Sequence, residues 1–160
     1  MQIELQKESN DHHWLRCKRG DGSVEEKLLE TKSFLQHDLI HLSVELEAGL
    51  QNSFWGQVAQ GKSFQDLMTD NGLSTSEAPS SEMAFTEIIV GAFTAYLKHE
   101  SSASIIEGIS HYLEAFGSAI PEYLDKAFIE QTEKRYRALI GEWNALVFGE
   151  VMRVDFLAKN

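Results

Sequence analysis

The chain has 160 residues, 42% of them hydrophobic, and a formal net charge of −11. That length and composition fit one globular domain with a sizeable core, and the acidic surplus disfavours nucleic acid and anionic membranes as partners. The single cysteine, Cys17, excludes an internal disulfide and a cysteine-built zinc cluster, no run approaches a membrane span, and the opening MQIELQKESNDHH lacks the apolar run of a signal peptide, so the expected location is a reducing cytoplasm.

Residues 2–8 alternate, with Ile3 and Leu5 on one side and Gln2, Glu4 and Gln6 on the other, the pattern of a half-buried strand. Residues 14–19 and 23–29 flank Gly20-Asp21-Gly22, which predicts a β-hairpin. Arg16, Lys18 and Arg19 read as solvated edge positions opposite Glu25 and Glu26. His12 and His13, beside the turn-forming Asn10-Asp11, read as surface residues.

Residues 35–50 contain no proline, and Gly49 is their first glycine. The run predicts a helix capped by Thr31 or Ser33 and stopped or kinked at Gly49. At roughly 100° per residue, with His37 at zero, His41 falls at about 40°, Glu45 at about 80° and Asp38 at about 100°. Leu35, Leu39, Leu42, Leu46 and Leu50 form a stripe between about 140° and 220°, while Ile40 and Val44 fall at about 300° and 340°. Apolar residues therefore border the polar arc on both flanks. This predicts a polar seam on a largely buried helix, and buried polar groups need partners.

Two histidines four residues apart can place two imidazoles on one ion, as on an H-E-x-x-H helix. Here the pattern is H-D-L-I-H, with the shorter Asp38 in the glutamate's place. One reading makes His37, His41 and Glu45 the ligands of a divalent transition metal such as zinc, and Asp38 the base or a partner to the ligands, in a metal-dependent hydrolase. A second makes the same four residues a structural seam in a non-catalytic binding or interaction module. A third is acid/base chemistry without a metal. The histidine–carboxylate pairing serves all three.

The run HDLIHLSVELEAGLQNSFWGQVAQGKSF resembles a group of small uncharacterised bacterial proteins that carry the pattern H-D-L-x-H…E…G-L…G-F-W-G. The likeness covers about 30 residues, with a weaker echo at Trp143-Asn144-Ala145-Leu146. Asn52-Ser53 stands before Phe54-Trp55-Gly56 where the group tends to have glycine before the phenylalanine. The resemblance implies one family domain and no particular reaction.

Residues 53–60 predict a short helix ended by Gly61, and Ser63 starts another turn through Met68. Phe54 and Trp55 are candidates for an apolar ligand pocket, with core packing as the alternative. Residues 70–81, DNGLSTSEAPSS, read as an exposed loop. Residues 82–99 are apolar almost all round, apart from a narrow strip of Glu87, Thr94 and Lys98, and predict a central helix that buries Ile89 and Phe93. In residues 103–116, Glu107, His111 and Glu114 have helical spacing but lie opposite the apolar face of Ile105, Ile109 and Leu113, so they read as solvated. Pro121 suits the first turn of the longest helix, which Gly149 ends, and residues 150–157 alternate as a last strand.

Strands at both ends of the chain, with helices between, predict an α+β fold. It is a small antiparallel sheet of about four strands packed on about five helices. The expected division is N-terminal strands over 1–30, helices over 31–148 and a C-terminal strand over 149–158, in one domain covering 1–160. The ligand, small molecule or protein, and any homo-oligomer stay open.

Overall fold

The computed structural model describes residues 1–69, 82–99, 102–115, 117 and 119–156. Three strands come first: β1 (Gln2–Lys7), β2 (His12–Lys18) and β3 (Val24–Glu30). The helices follow: α1 (Thr31–Ala48), α2 (Phe54–Ala59), α3 (Phe64–Thr69), α4 (Glu82–His99), α5 (Ser102–Ala115) and α6 (Lys126–Ala145). The last strand is β4 (Val151–Asp155). The fold is α+β, with a four-stranded antiparallel sheet and six helices among the described residues. No helix is long and apolar enough to cross a membrane among those residues. The loop expected over 70–81 lies outside them.

The strand order is β3-β2-β1-β4, so the last strand pairs antiparallel with the first. Strand periodicity decides the two faces. Ile3 pairs with Cys17 and Val154, and Leu5 with Leu15 and Met152, and this face turns towards the helices. Glu4 lies on the opposite face. Lys18 Nζ at 2.8 Å, Arg153 Nε at 3.1 Å and Arg16 at 3.4 Å donate to it. Burial would raise the Glu4 pKa, but these donors outweigh it and hold it below its ordinary value. β2 is an inner strand, so Arg16 and Lys18 are not edge positions: both reach Glu4, and Arg16 also pairs with Glu26, as expected, at 2.9 Å. Arg19 does pair with Glu25, at 2.8 Å, and also donates to the carbonyls of Val58 and Lys62, which pins the α2–α3 turn onto the hairpin.

His13 departs from its expected surface position. The strand begins at His12, two residues earlier than the turn signal suggests, and alternation then turns His13 inward with Leu15 and Cys17. It is fully buried, its Nδ1 lies 3.1 Å from Thr31 Oγ1, and its ring meets Trp143 edge-on at 5.5 Å. That contact occupies Thr31, and α1 has Glu30 at its N-cap with no side-chain capping bond. Asp125 caps α6 by accepting from Phe128 N, so Pro121 sits in the preceding turn rather than in the helix. α6 ends at Ala145, short of Gly149.

α1 is central. It packs on α6 and α4, and α5 packs on those same two helices, so the four long helices close into a bundle beside the sheet. Every residue from Leu39 to Glu45 is buried, which explains how one helix carries apolar residues on both flanks of a polar arc. Gly49 ends α1 in the left-handed conformation, φ 70°, with its N–H on Glu45 O. The chain then reverses into α2.

Candidate functional site

The polar seam of α1 deepens along the helix. His37 is about half exposed, with 51% of its side-chain surface open, His41 is 3% exposed and Glu45 0%. Successive positions four apart stack along one face, so the two imidazoles lie close, with ring centroids 4.6 Å apart. Glu87 enters the seam from α4. Its Oε1 is 3.2 Å from His41 Nε2, and its Oε2 is 3.9 Å from His37 Nε2. One ligand atom from each of His37, His41 and Glu87 lies within 4.8 Å of the others.

Glu45 takes the other edge of His41. Its Oε1 is 3.3 Å from His41 Nδ1, and its Oε2 accepts from Trp55 N at 2.8 Å and Gly56 N at 3.3 Å. An acceptor on Nδ1 turns Nε2 towards Glu87 and His37. Nε2 itself is buried and makes no hydrogen bond among the described residues. At 3.2 Å the Glu87 oxygen is in ion-pair range but off the Nε2 bond direction, so we count an ion pair and no hydrogen bond.

The electrostatics follow from this wiring. Burial pushes the His41 pKa down, but the carboxylates of Glu45 and Glu87 outweigh it and raise it to about 9. Burial raises Glu45, against bonds from His41 and the two backbone N–H groups. Glu87 also meets a burial penalty, yet His41 holds it below its ordinary value. Without a metal, the seam is an imidazolium between two carboxylates.

The candidate residues thus fall into distinct places. His37 and His41 share one focus with Glu87, while Glu45 lies behind His41. Asp38 Oδ1 stands 3.7 Å from His37 Nδ1, in ion-pair range but beyond a hydrogen bond. Phe54 meets the His41 ring edge-on at 6.2 Å, stacks on Phe64 and abuts Trp55 at 4.9 Å. Trp55 is buried, and its indole nitrogen has no hydrogen-bond partner among the described residues. These aromatics form a wall beside His41.

Glu87 is not among the site residues expected from the sequence. Its signal there is an acid in the narrow polar strip of an otherwise apolar helix. Glu107, His111 and Glu114 are exposed, as their wheel positions predict, and line an open groove along α5 with Ser104, Gly108 and Ser110. No protein-family model, no curated protein and no solved structure matches the chain.

Proposed function

We propose that this protein binds a divalent transition metal through His37, His41 and Glu87. The observation that carries this reading is His41 Nε2: a buried ring nitrogen without a hydrogen bond, aimed into a focus shared with a second imidazole and a carboxylate. A buried nitrogen without a hydrogen bond is costly, and a metal ion satisfies it. Two imidazoles and one carboxylate suit zinc and iron(II). Glu45 behind His41 supplies the carboxylate–histidine support common at such centres.

Three protein ligands leave coordination positions for water or a substrate, and the half-exposed His37 gives access from solvent. In a metal-dependent hydrolase, the ion would act as a Lewis acid and make bound water more acidic. Asp38 is then the partner of His37, and Phe54 and Trp55 form the apolar wall of the site. The buried, unpaired Cys17, whose thiol burial pushes up to about 12, suits a reducing cytoplasm.

The ion-paired arrangement of His41 favours a second reading, a non-catalytic module in which the protonated imidazole bridges Glu45 and Glu87. Metal titration separates the two. Zinc added to chelator-treated protein should raise its melting temperature, and His37→Ala and His41→Ala should each remove the rise. If zinc leaves the wild-type melt unchanged and the purified protein carries no metal, the metal reading is wrong and the bridge stands.

A further inference from the structure

Glu45 is an unusual residue to find without any solvent contact, and every donor around it has a use. His41 Nδ1 faces one carboxylate oxygen; Trp55 N and Gly56 N face the other. Gly56 lies against the Gln51 backbone, where a Cβ would clash, so glycine permits the tight turn that carries these two N–H groups. The same segment carries Phe54, whose ring meets His41 edge-on. One carboxylate therefore ties the ring at the proposed metal focus to the backbone of the wall beside it.

We propose that Glu45 is the positioning residue of the metal site: it fixes the His41 tautomer that leaves Nε2 bare, and it couples ion binding to the docking of residues 54–56. This inference rests on the metal reading. A carboxylate has only acceptors, so it serves the Nδ1 proton and both backbone N–H groups together. Glutamine has the same shape but cannot. With its oxygen on the backbone donors, its NH₂ group faces Nδ1, which must then accept, and the ring proton moves to Nε2. With its oxygen on Nδ1, its NH₂ group faces two N–H donors and the wall loses its anchor.

The test uses the full-length protein with zinc as the probe. Glu45→Gln should weaken zinc binding, read by competition with a chromophoric chelator, about 10–100-fold. In ¹⁵N imidazole spectra of the zinc-loaded wild type, His41 should carry its proton on Nδ1. Zinc should also slow amide hydrogen exchange at Trp55 and Gly56 in the wild type, a readout that needs no variant to fold. Glu45→Asp, which keeps the charge on a shorter side chain, should recover only part of the affinity. If the wild type binds zinc, but Glu45→Gln binds it within twofold of wild type or exchange at Trp55 and Gly56 is unchanged by zinc, this inference is overturned and the metal reading survives. If the wild type binds no zinc, the metal reading itself fails.

Discussion

Glu87 Oε1 lies 3.2 Å from His41 Nε2, bringing a carboxylate from α4 onto a ring nitrogen of α1 that nothing else on its own helix satisfies. The competing readings of the seam diverge at this pair. If a metal sits between them, Glu87 is a ligand; otherwise it is the counter-ion of an imidazolium. Glu87→Gln keeps the shape and removes the charge. We expect it to abolish the zinc-dependent rise in melting temperature, because a neutral amide is a poor ligand for a transition metal. A variant that retains the full zinc response would remove Glu87 from the ligand set.

The metal-free protein should show the imidazolium directly. The groups facing the His41 ring are Glu45 and His37 on α1 and Glu87 on α4. The folded pKa of His41, raised to about 9, exceeds its ordinary value of about 6.5, so the folded state holds the proton more tightly. The resulting stabilisation is fully present below about 6.5 and is lost as pH rises through about 9. Melting temperatures in chelator should therefore fall across that window, and His41→Gln should flatten the fall. A wild-type curve already flat from pH 6.5 to 9 would contradict the bridge.

α4 is apolar almost all round, and Phe93, near its middle, is fully buried. Its ring lies 5.4 Å from that of Tyr96. Phe93→Ala removes a large, fully buried side chain from a helix that packs on both α1 and α5. The expected loss is about 3–5 kcal/mol, a large part of the stability of an ordinary domain. Chemical denaturation measures it, and a loss below about 1 kcal/mol would mean that Phe93 is not packed in the core.

Helix periodicity made this core legible. The wheel of α1 placed His37, His41 and Glu45 on one arc and bracketed it correctly, because i and i+4 positions stack in any α-helix. It could not rank them by depth, since depth depends on which neighbours arrive, and those are α2 and α4. Glu87 was out of reach for the same reason: its meeting with His41 is a contact between distant parts of the chain, and an acid on an apolar helix reads equally as a solvent stripe. His13 failed differently. A two-residue error in the start of β2 is enough to lose a buried histidine, because strand alternation decides its side only once the strand is known to include it.

His111 is the control for that argument. It has the helical spacing of a ligand next to Glu107 and Glu114, yet it lies on the outer face of α5, opposite the buried Ile105, Ile109 and Leu113. His111→Ala should change stability by no more than about 0.5 kcal/mol and leave zinc binding as in the wild type. A lost zinc response would relocate the site to α5.

His13 provides a pH effect of opposite sign to that of His41. Burial depresses its pKa; the field of Asp38 pushes back and that of His12 adds to the depression. Its Nδ1 faces Thr31 Oγ1, and its Nε2 has no hydrogen-bond partner among the described residues, so a second ring proton would enter a site with nothing to receive it. The unfolded chain takes up that proton near pH 6.5, but the folded chain does so only at lower pH. The unfolded state therefore binds more protons in this interval, and stability must fall as pH drops below about 6.5. A neutral residue such as leucine does not titrate. His13→Leu should lose less stability between pH 7 and 5 than the wild type, whatever its stability at pH 7. The two denaturation series, run in chelator to keep the metal focus out of the comparison, decide the matter: parallel curves would show that His13 is protonated as easily in the folded chain as in the unfolded one.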